Sequence, residues 1–208
     1  MLSKSTLGIL LSKLADFERP DTVLEQYTTP SEIAAEVLWH AYISGFIEGK
    51  TVADIGCGTG ILGIGALLLD AEKVYFLDID KKVFETAKQN LDFIKENYSL
   101  DFSGKAEFIH ADASMFSTKV DLLLQNPPFG TKQKHADTEF LEYASRNSGI
   151  IYSFHKLETA DFIEKKIAKL GFKTFSFFKF NMQLKKTMPQ HIKRIEKIPV
   201  GCWAIKRV

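Results

Sequence analysis

The segment that most constrains this chain is Asp54-Ile-Gly56-Cys-Gly58-Thr-Gly60, set between two apolar stretches. Ahead of it, Thr51 to Ile55 reads as a short strand; behind it, Ile61 to Leu69 reads as an apolar helix. A strand that turns sharply into a helix returns to its sheet by a crossover, which commits the chain to βαβ units and a parallel sheet. The following residues repeat the alternation. Strands are expected over 74–77, 107–110, 120–124 and 150–154, with helices over 81–98 and 159–170, the latter stopped by Gly171. Before the glycine turn, Leu7, Leu10, Leu11 and Leu14 recur at helical spacing, so 3–16 reads as a helix. Residues 34–43 read as a second helix, with Pro30 where a helix start tolerates it. Strand patterns at 173–182 and 200–206 have no clear helix between them, so this last pair is expected to run antiparallel. The pattern is an α/β domain with helices on both faces of the sheet.

Composition narrows the function classes. The 208 residues suit one domain, and the longest apolar run, Ile61 to Leu69, is half of what a membrane span needs. Lys13 cuts off the short apolar stretch near the start, so that stretch is expected to be a helix and not a signal peptide. Cys57 and Cys202 make neither a disulfide framework nor a zinc site, and the five histidines show no ligand spacing. A reducing, cytoplasmic location without a catalytic metal is the expectation. Net charge is +1, but unevenly spread: residues 1–155 hold 14 Lys and Arg against 22 Asp and Glu, and 156–208 hold 13 against 4. A basic segment of this kind fits a polyanionic partner, or a solvated lysine-rich face.

Carboxylates give the glycine turn its chemistry. Asp54 stands just before the glycines, where a pyrophosphate would be repelled and a ligand bearing a cationic amino group and a sulfonium would be welcome. Asp78 ends the second strand 24 residues on, near the spacing at which a carboxylate meets ribose hydroxyls, with Asp80 as a competitor. Asp112 follows the third strand and is placed to accept from an adenine amino group, although each aspartate alone also suits a helix N-cap. Together they converge on the crevice at the strand C-termini where open α/β sheets bind ligands.

Directly after the fourth strand comes Asn126-Pro127-Pro128-Phe129. Two prolines stiffen the backbone and remove two donors, which leaves carbonyl oxygens exposed beside the Asn126 carboxamide. Two acceptors held together can take both hydrogens of an –NH2 group, and Phe129 is placed to stack on a flat base. An aromatic amine is a poor nucleophile because its lone pair is delocalised. Acceptors that draw its hydrogens out of plane return density to nitrogen, and the proton can leave after attack. The competing explanation is an ordinary Pro-Pro turn with a buried Phe.

These motifs resemble those of class I S-adenosylmethionine-dependent methyltransferases: Asp54–Gly60 as cofactor loop, Leu77–Asp80 as ribose segment, His110–Ala113 as adenine segment. That resemblance implies a Rossmann-like, seven-stranded, mostly parallel sheet with an antiparallel last strand. Asn126–Phe129 resembles the amino-methyltransferases that modify exocyclic base amines or a glutamine amide. With Glu25-Gln-Tyr-Thr-Thr-Pro30, Gly130-Thr-Lys132 and Tyr152-Ser-Phe-His-Lys156, the chain is similar to the small archaeal and eukaryotic ribosomal RNA adenine-N6 methyltransferases. The resemblance implies cofactor contacts from Gln26, Thr29, Asp54, Gly56, Gly58, Thr59, Gly60, Ile61, Asp78, Asp112 and Ala113. It implies catalytic roles for Asn126, Pro127 and Phe129, and substrate contacts from Pro128, Lys132, His155 and Lys156. The implied cofactor is S-adenosylmethionine and the implied substrate an unpaired adenine in RNA, most of all ribosomal RNA. Eukaryotic relatives also use a small zinc-binding activator subunit.

Residues 1–208 are expected to form a single methyltransferase domain, with a helical extension over 1–30 and a basic segment over 156–208. Methylation of a protein glutamine at N5 and of DNA adenine at N6 are the competing activities. The first usually brings an extra helical domain, the second a target-recognition domain, and the chain has room for neither. The run Phe172 to Phe180, with five phenylalanines among lysines, reads as a stacking platform for single strands or as a sheet core strand.

Overall fold

A computed structural model describes residues 2–98, 100–129, 136–185 and 195–208. The elements run α1 (Lys4–Leu11), α2 (Ser31–Ile43), β1 (Thr51–Ile55), α3 (Ile61–Leu68), β2 (Lys73–Asp78), α4 (Val83–Tyr98) and β3 (Ala106–His110). They continue with β4 (Leu122–Gln125), α5 (Ala136–Asn147), β5 (Ile150–Lys156), α6 (Ala160–Lys169), β6 (Phe172–Lys185) and β7 (Ile195–Arg207). The seven strands form one sheet in the order β3-β2-β1-β4-β5-β7-β6. Strands β1 to β5 pair in parallel, and β7 runs antiparallel to both β5 and β6. The sheet is thus mostly parallel with an antiparallel last strand, as the sequence pattern and the resemblance imply.

Both faces of the sheet are dry because successive residues of its central strands alternate between two apolar layers. Leu122, Leu124, Tyr152 and Phe154 face one layer together with Leu7, Leu11, Leu38 and Phe76. Leu123 and Ile151 face the other, with Leu141, Ala144, Ile163, Ile167, Trp203 and Ile205. Helix α1 contributes Leu7, Leu10 and Leu11 to the first layer and ends at Ser12, shorter than its leucine pattern predicts. Close packing of α3 against α2 and against β2 fixes two glycines. A Cβ on Gly65 would lie 2.3 Å from Leu38 Cδ1, and one on Gly63 would lie 2.3 Å from Phe76 Cε1.

The phenylalanine run in β6 belongs to the sheet core. Phe172 is buried, Phe175 packs on Phe46 and Tyr152, and Phe180 lies against Phe154. Phe177 is the exception: it lies against Trp203 at 4.6 Å between ring centroids, yet it is 38% exposed, so one ring of the run still reaches solvent. Pro189, a chain breaker by its residue type in the stretch between β6 and β7, lies outside the described residues. Among the described residues no helix is long and apolar enough to cross a membrane.

Candidate active site

Strand order places β1 between β2 and β4, and the crevice opens above their C-terminal ends, where crossovers leave in opposite directions. The glycine turn is fastened to β2 there. Gly56 and Cys57 N–H both donate to Leu77 O, at 2.8 and 3.0 Å. Gly58 adopts φ +51° and Gly60 φ +84°, left-handed conformations that glycine takes without a steric penalty. A Cβ on Gly58 would come within 2.7 Å of the Phe17 ring, so glycine also keeps this wall of the crevice low. Gly60 itself sits under the wall, at the N-cap of α3.

Two aspartates take their environment from this turn. Asp54, 1% exposed, accepts Gly63 N–H at 2.8 Å. Burial pushes its carboxyl up to about 7, against the pull of that hydrogen bond, and the neighbouring Asp78 raises it further. Asp78 accepts Gly58 N–H at 2.9 Å on one oxygen and Asp80 N–H at 2.9 Å on the other, and burial lifts its pKa. Its two oxygens offer about four acceptor sites, so capacity for a ligand remains beside these bonds. Asp112 caps a single 3-10 turn, Ala113–Met115, by accepting Ser114 N–H at 2.8 Å, and lines the crevice at the same time. It therefore fills the capping role and also stands beside the ligand space.

The crevice brings together Gln26, Thr29, Asp54, Gly56, Gly58, Thr59, Ile61, Asp78, Asp112, Ala113, Asn126 and Pro128 of the residues singled out from the sequence. Gln26 crosses it, donating from Nε2 to Asp80 Oδ2 at 3.0 Å. Thr29 is less a wall than a brace: its Oγ1 accepts Asn126 Nδ2–H at 2.9 Å, which leaves Asn126 Oδ1 turned the other way. Asn126 Oδ1 and Pro127 O then converge on one point. The Tyr27 hydroxyl stands at that point, 3.2 Å from each. The Tyr27 ring lies against Phe129 at 4.9 Å between centroids and a 35° tilt. Phe129 is buried behind it.

Two expected substrate contacts are elsewhere. His155 is fully buried, sharing a hydrogen bond of 2.7 Å with Ser153 Oγ, which accepts Gln125 Nε2–H at 2.8 Å. The antiparallel β7 covers it, opposite Gly201 and against the Trp203 ring, so it does not reach a substrate backbone. Lys156 pairs with Glu158 at 3.2 Å and does not line the crevice. Lys132, with Gly130 and Thr131, lies outside the described residues. Phe17, Phe140 and Tyr143, on which no expectation fell, also line the crevice, and Tyr27 does so from within the Glu25–Pro30 segment. Both aromatics of α5 lie in a stretch too polar for its periodicity to stand out, and no local signal marks Phe17.

The apolar walls, the accepting carboxylates and the glycine turn suit a ligand that combines a flat ring, hydroxyls and positive charge. Residues 40–126 match the profile of the ribosomal protein L11 methyltransferase (PrmA) family. The rRNA N(6)-adenosine-methyltransferase METTL5 of Danio rerio is 36% identical, over 75% of this chain and 75% of its own. Mettl5 of Drosophila melanogaster, also described as an rRNA N(6)-adenosine-methyltransferase, is 34% identical over 90% of this chain and 88% of its own. The crystal structure of PH1948 from Pyrococcus horikoshii superposes with a TM-score of 0.90 at 40% identity, covering 100% of this chain and 99% of that one.

Proposed function

The chain belongs to the rRNA N(6)-adenosine-methyltransferase family that includes METTL5, and from that premise we propose that it methylates N6 of an unpaired adenine in ribosomal RNA. The observation that carries the reading is the convergence of Asn126 Oδ1 and Pro127 O on one donor atom beside the Phe129 ring. Two acceptors aimed at one place match the two hydrogens of a primary amine, and a ring beside them matches the base that bears it.

S-adenosylmethionine fits the crevice, where it supplies an electrophilic methyl group on a positively charged sulfur. Asp78 would take its ribose hydroxyls on the lone pairs that Gly58 and Asp80 leave unused. Asp54, which lines the same crevice, would offer a negative charge to its cationic end, and Asp112 and Ala113 would lie by its base. Gln26, Gly56, Thr59 and Ile61 complete the walls, with Gly60 setting the turn and Thr29 bracing Asn126. Asn126 and Pro127 hold the target amine by its hydrogens, restoring lone-pair density to nitrogen, and Pro128 and Phe129 confine the base. The amine's proton departs after the new N–C bond has formed, so no side chain need act as a base beforehand. Lys132 is assigned to the RNA backbone, to which the basic charge of 156–208 adds a wider electrostatic attraction. A base paired in a duplex hides its amine, so the target must be unpaired or extruded.

A cytoplasmic site of action and a small zinc-binding activator subunit, as the resemblance implies, complete the proposal. The test is incubation with S-adenosylmethionine labelled in its methyl group and separate pools of ribosomal RNA, DNA and protein, followed by nucleoside and amino-acid analysis. Label recovered as N6-methyladenosine from RNA supports the assignment; label confined to DNA or to protein glutamine overturns it.

A further inference from the structure

We propose that Tyr27 is an internal stand-in for the target base, occupying its amine and ring positions and yielding them to an entering adenine. This rests on the assignment of Asn126, Pro127 and Phe129 to the target base. Tyr27 satisfies the same three residues at once: its hydroxyl lies 3.2 Å from both acceptors and its ring lies on Phe129. Its hold on the acceptors is weak by construction. One O–H carries one hydrogen, which two acceptors must share, and 3.2 Å is long for an O–H···O bond. An adenine amine carries two hydrogens and gives each acceptor its own. Exchange therefore gains a hydrogen bond while replacing one ring on Phe129 by another.

The segment that carries Tyr27 is built as a compact turn. Asp21 Oδ1 accepts Val23 N–H at 2.7 Å, Gln26 N–H donates to Asp21 O at 3.1 Å, and Asp21 N–H donates to Gln26 Oε1 at 2.8 Å. Glu25, just ahead of Tyr27, takes φ +51°, a left-handed conformation uncommon for a side-chain-bearing residue. Such strain is kept where the surroundings enforce it and is commonest in elements that switch. Val23 stands exposed at the tip of this turn, beside the mouth of the crevice.

A stand-in of this kind lowers the apparent affinity of every base that enters by one common factor. It leaves unaffected any RNA whose bases stay outside. It also keeps Asn126 Oδ1 and Pro127 O aligned when no substrate is present, so the acceptors need no rearrangement when the amine arrives.

The experiment compares the wild type with Tyr27→Phe, which keeps the ring and deletes the hydroxyl, and with Tyr27→Leu, which deletes both. The probes are a short single-stranded RNA with one adenosine and the same RNA with uridine in its place. Affinity is read by fluorescence anisotropy in the presence of S-adenosylhomocysteine, and thermal midpoints confirm that the variants are folded. Loss of one shared neutral hydrogen bond should tighten adenosine RNA about two- to tenfold in Tyr27→Phe, and at least as much in Tyr27→Leu. Uridine RNA should bind all three proteins alike. Unchanged or weakened adenosine RNA binding in Tyr27→Phe, with N6-methyladenosine still formed by the wild type, overturns the stand-in alone. Absence of N6-methyladenosine from the wild type overturns the reaction on which it rests.

Discussion

Binding of S-adenosylmethionine near pH 6.5 should expel most of one proton, and Asp54 should be its source. The Asp54 carboxyl is buried and pushed up to about 7 from 3.8, so at pH 6.5 about three-quarters of the free protein holds the proton. A cationic ligand beside the carboxylate favours the ionised form and drives the proton out. Affinity should therefore rise with pH, by at most about tenfold per pH unit, and level off above 7. The same group links stability to pH with a definite sign. Its folded pKa lies above its unfolded one, so the folded state holds a proton that the unfolded state has lost. Stability is full below about 3.8, falls as pH rises and is flat above about 7, by roughly 4 kcal/mol at full expression. Calorimetric titration at pH 6.5 in two buffers of different ionisation enthalpy measures the proton count directly. Asp54→Asn should bring that count close to zero. A wild-type count of zero, or an undiminished count in Asp54→Asn, would refute the assignment of the proton to Asp54.

Gly63→Ala should destabilise the fold by about 1–3 kcal/mol in denaturant titration, because its Cβ would meet three atoms of the Phe76 ring at 2.3 to 2.9 Å. That ring cannot retreat, being fully buried and stacked on Phe108 at 4.8 Å. Thr29→Val should lower kcat roughly tenfold with little change in cofactor affinity, because it deletes the acceptor that turns the Asn126 carboxamide. RNA affinity should fall steeply with salt, and each of Lys173→Glu and Lys179→Glu should flatten the log–log slope by about 0.7–0.9 if it removes one phosphate contact. A salt-independent affinity would show that the basic segment is a solvated face.

The parts of this site that could be read from the sequence are those whose geometry is local. The glycine turn, Asp54, and the Asn126-Pro-Pro-Phe129 loop each owe their shape to neighbours within a few residues, and alternating strands and helices set where the turns gather. Residues positioned by distant contacts were not legible. His155 is expected from the resemblance to touch substrate, yet β7, some fifty residues on, pairs alongside it and it is buried with Ser153 and Gln125. Helix α5 is fastened through Leu141 and Ala144, too few apolar residues to stand out beside a polar stretch, so Phe140 and Tyr143 went unnoticed. Tyr27 acquires its meaning from acceptors about a hundred residues away. The Glu25–Pro30 segment resembles a family motif, but nothing local to it points the Tyr27 hydroxyl at those acceptors.

Of all these measurements, the most direct is N6-methyladenosine formation on ribosomal RNA by the wild type and by Asn126→Ala, quantified by mass spectrometry with cofactor affinity measured in parallel. Deleting one of two acceptors that hold the reacting amine should lower kcat about 10²-fold or more, since the contact matters most in the transition state. Cofactor affinity should change by less than about twofold, because Asp54 and Asp78 are untouched. Full activity in Asn126→Ala, or a methylated nucleoside other than N6-methyladenosine from the wild type, would contradict the role assigned to the paired acceptors.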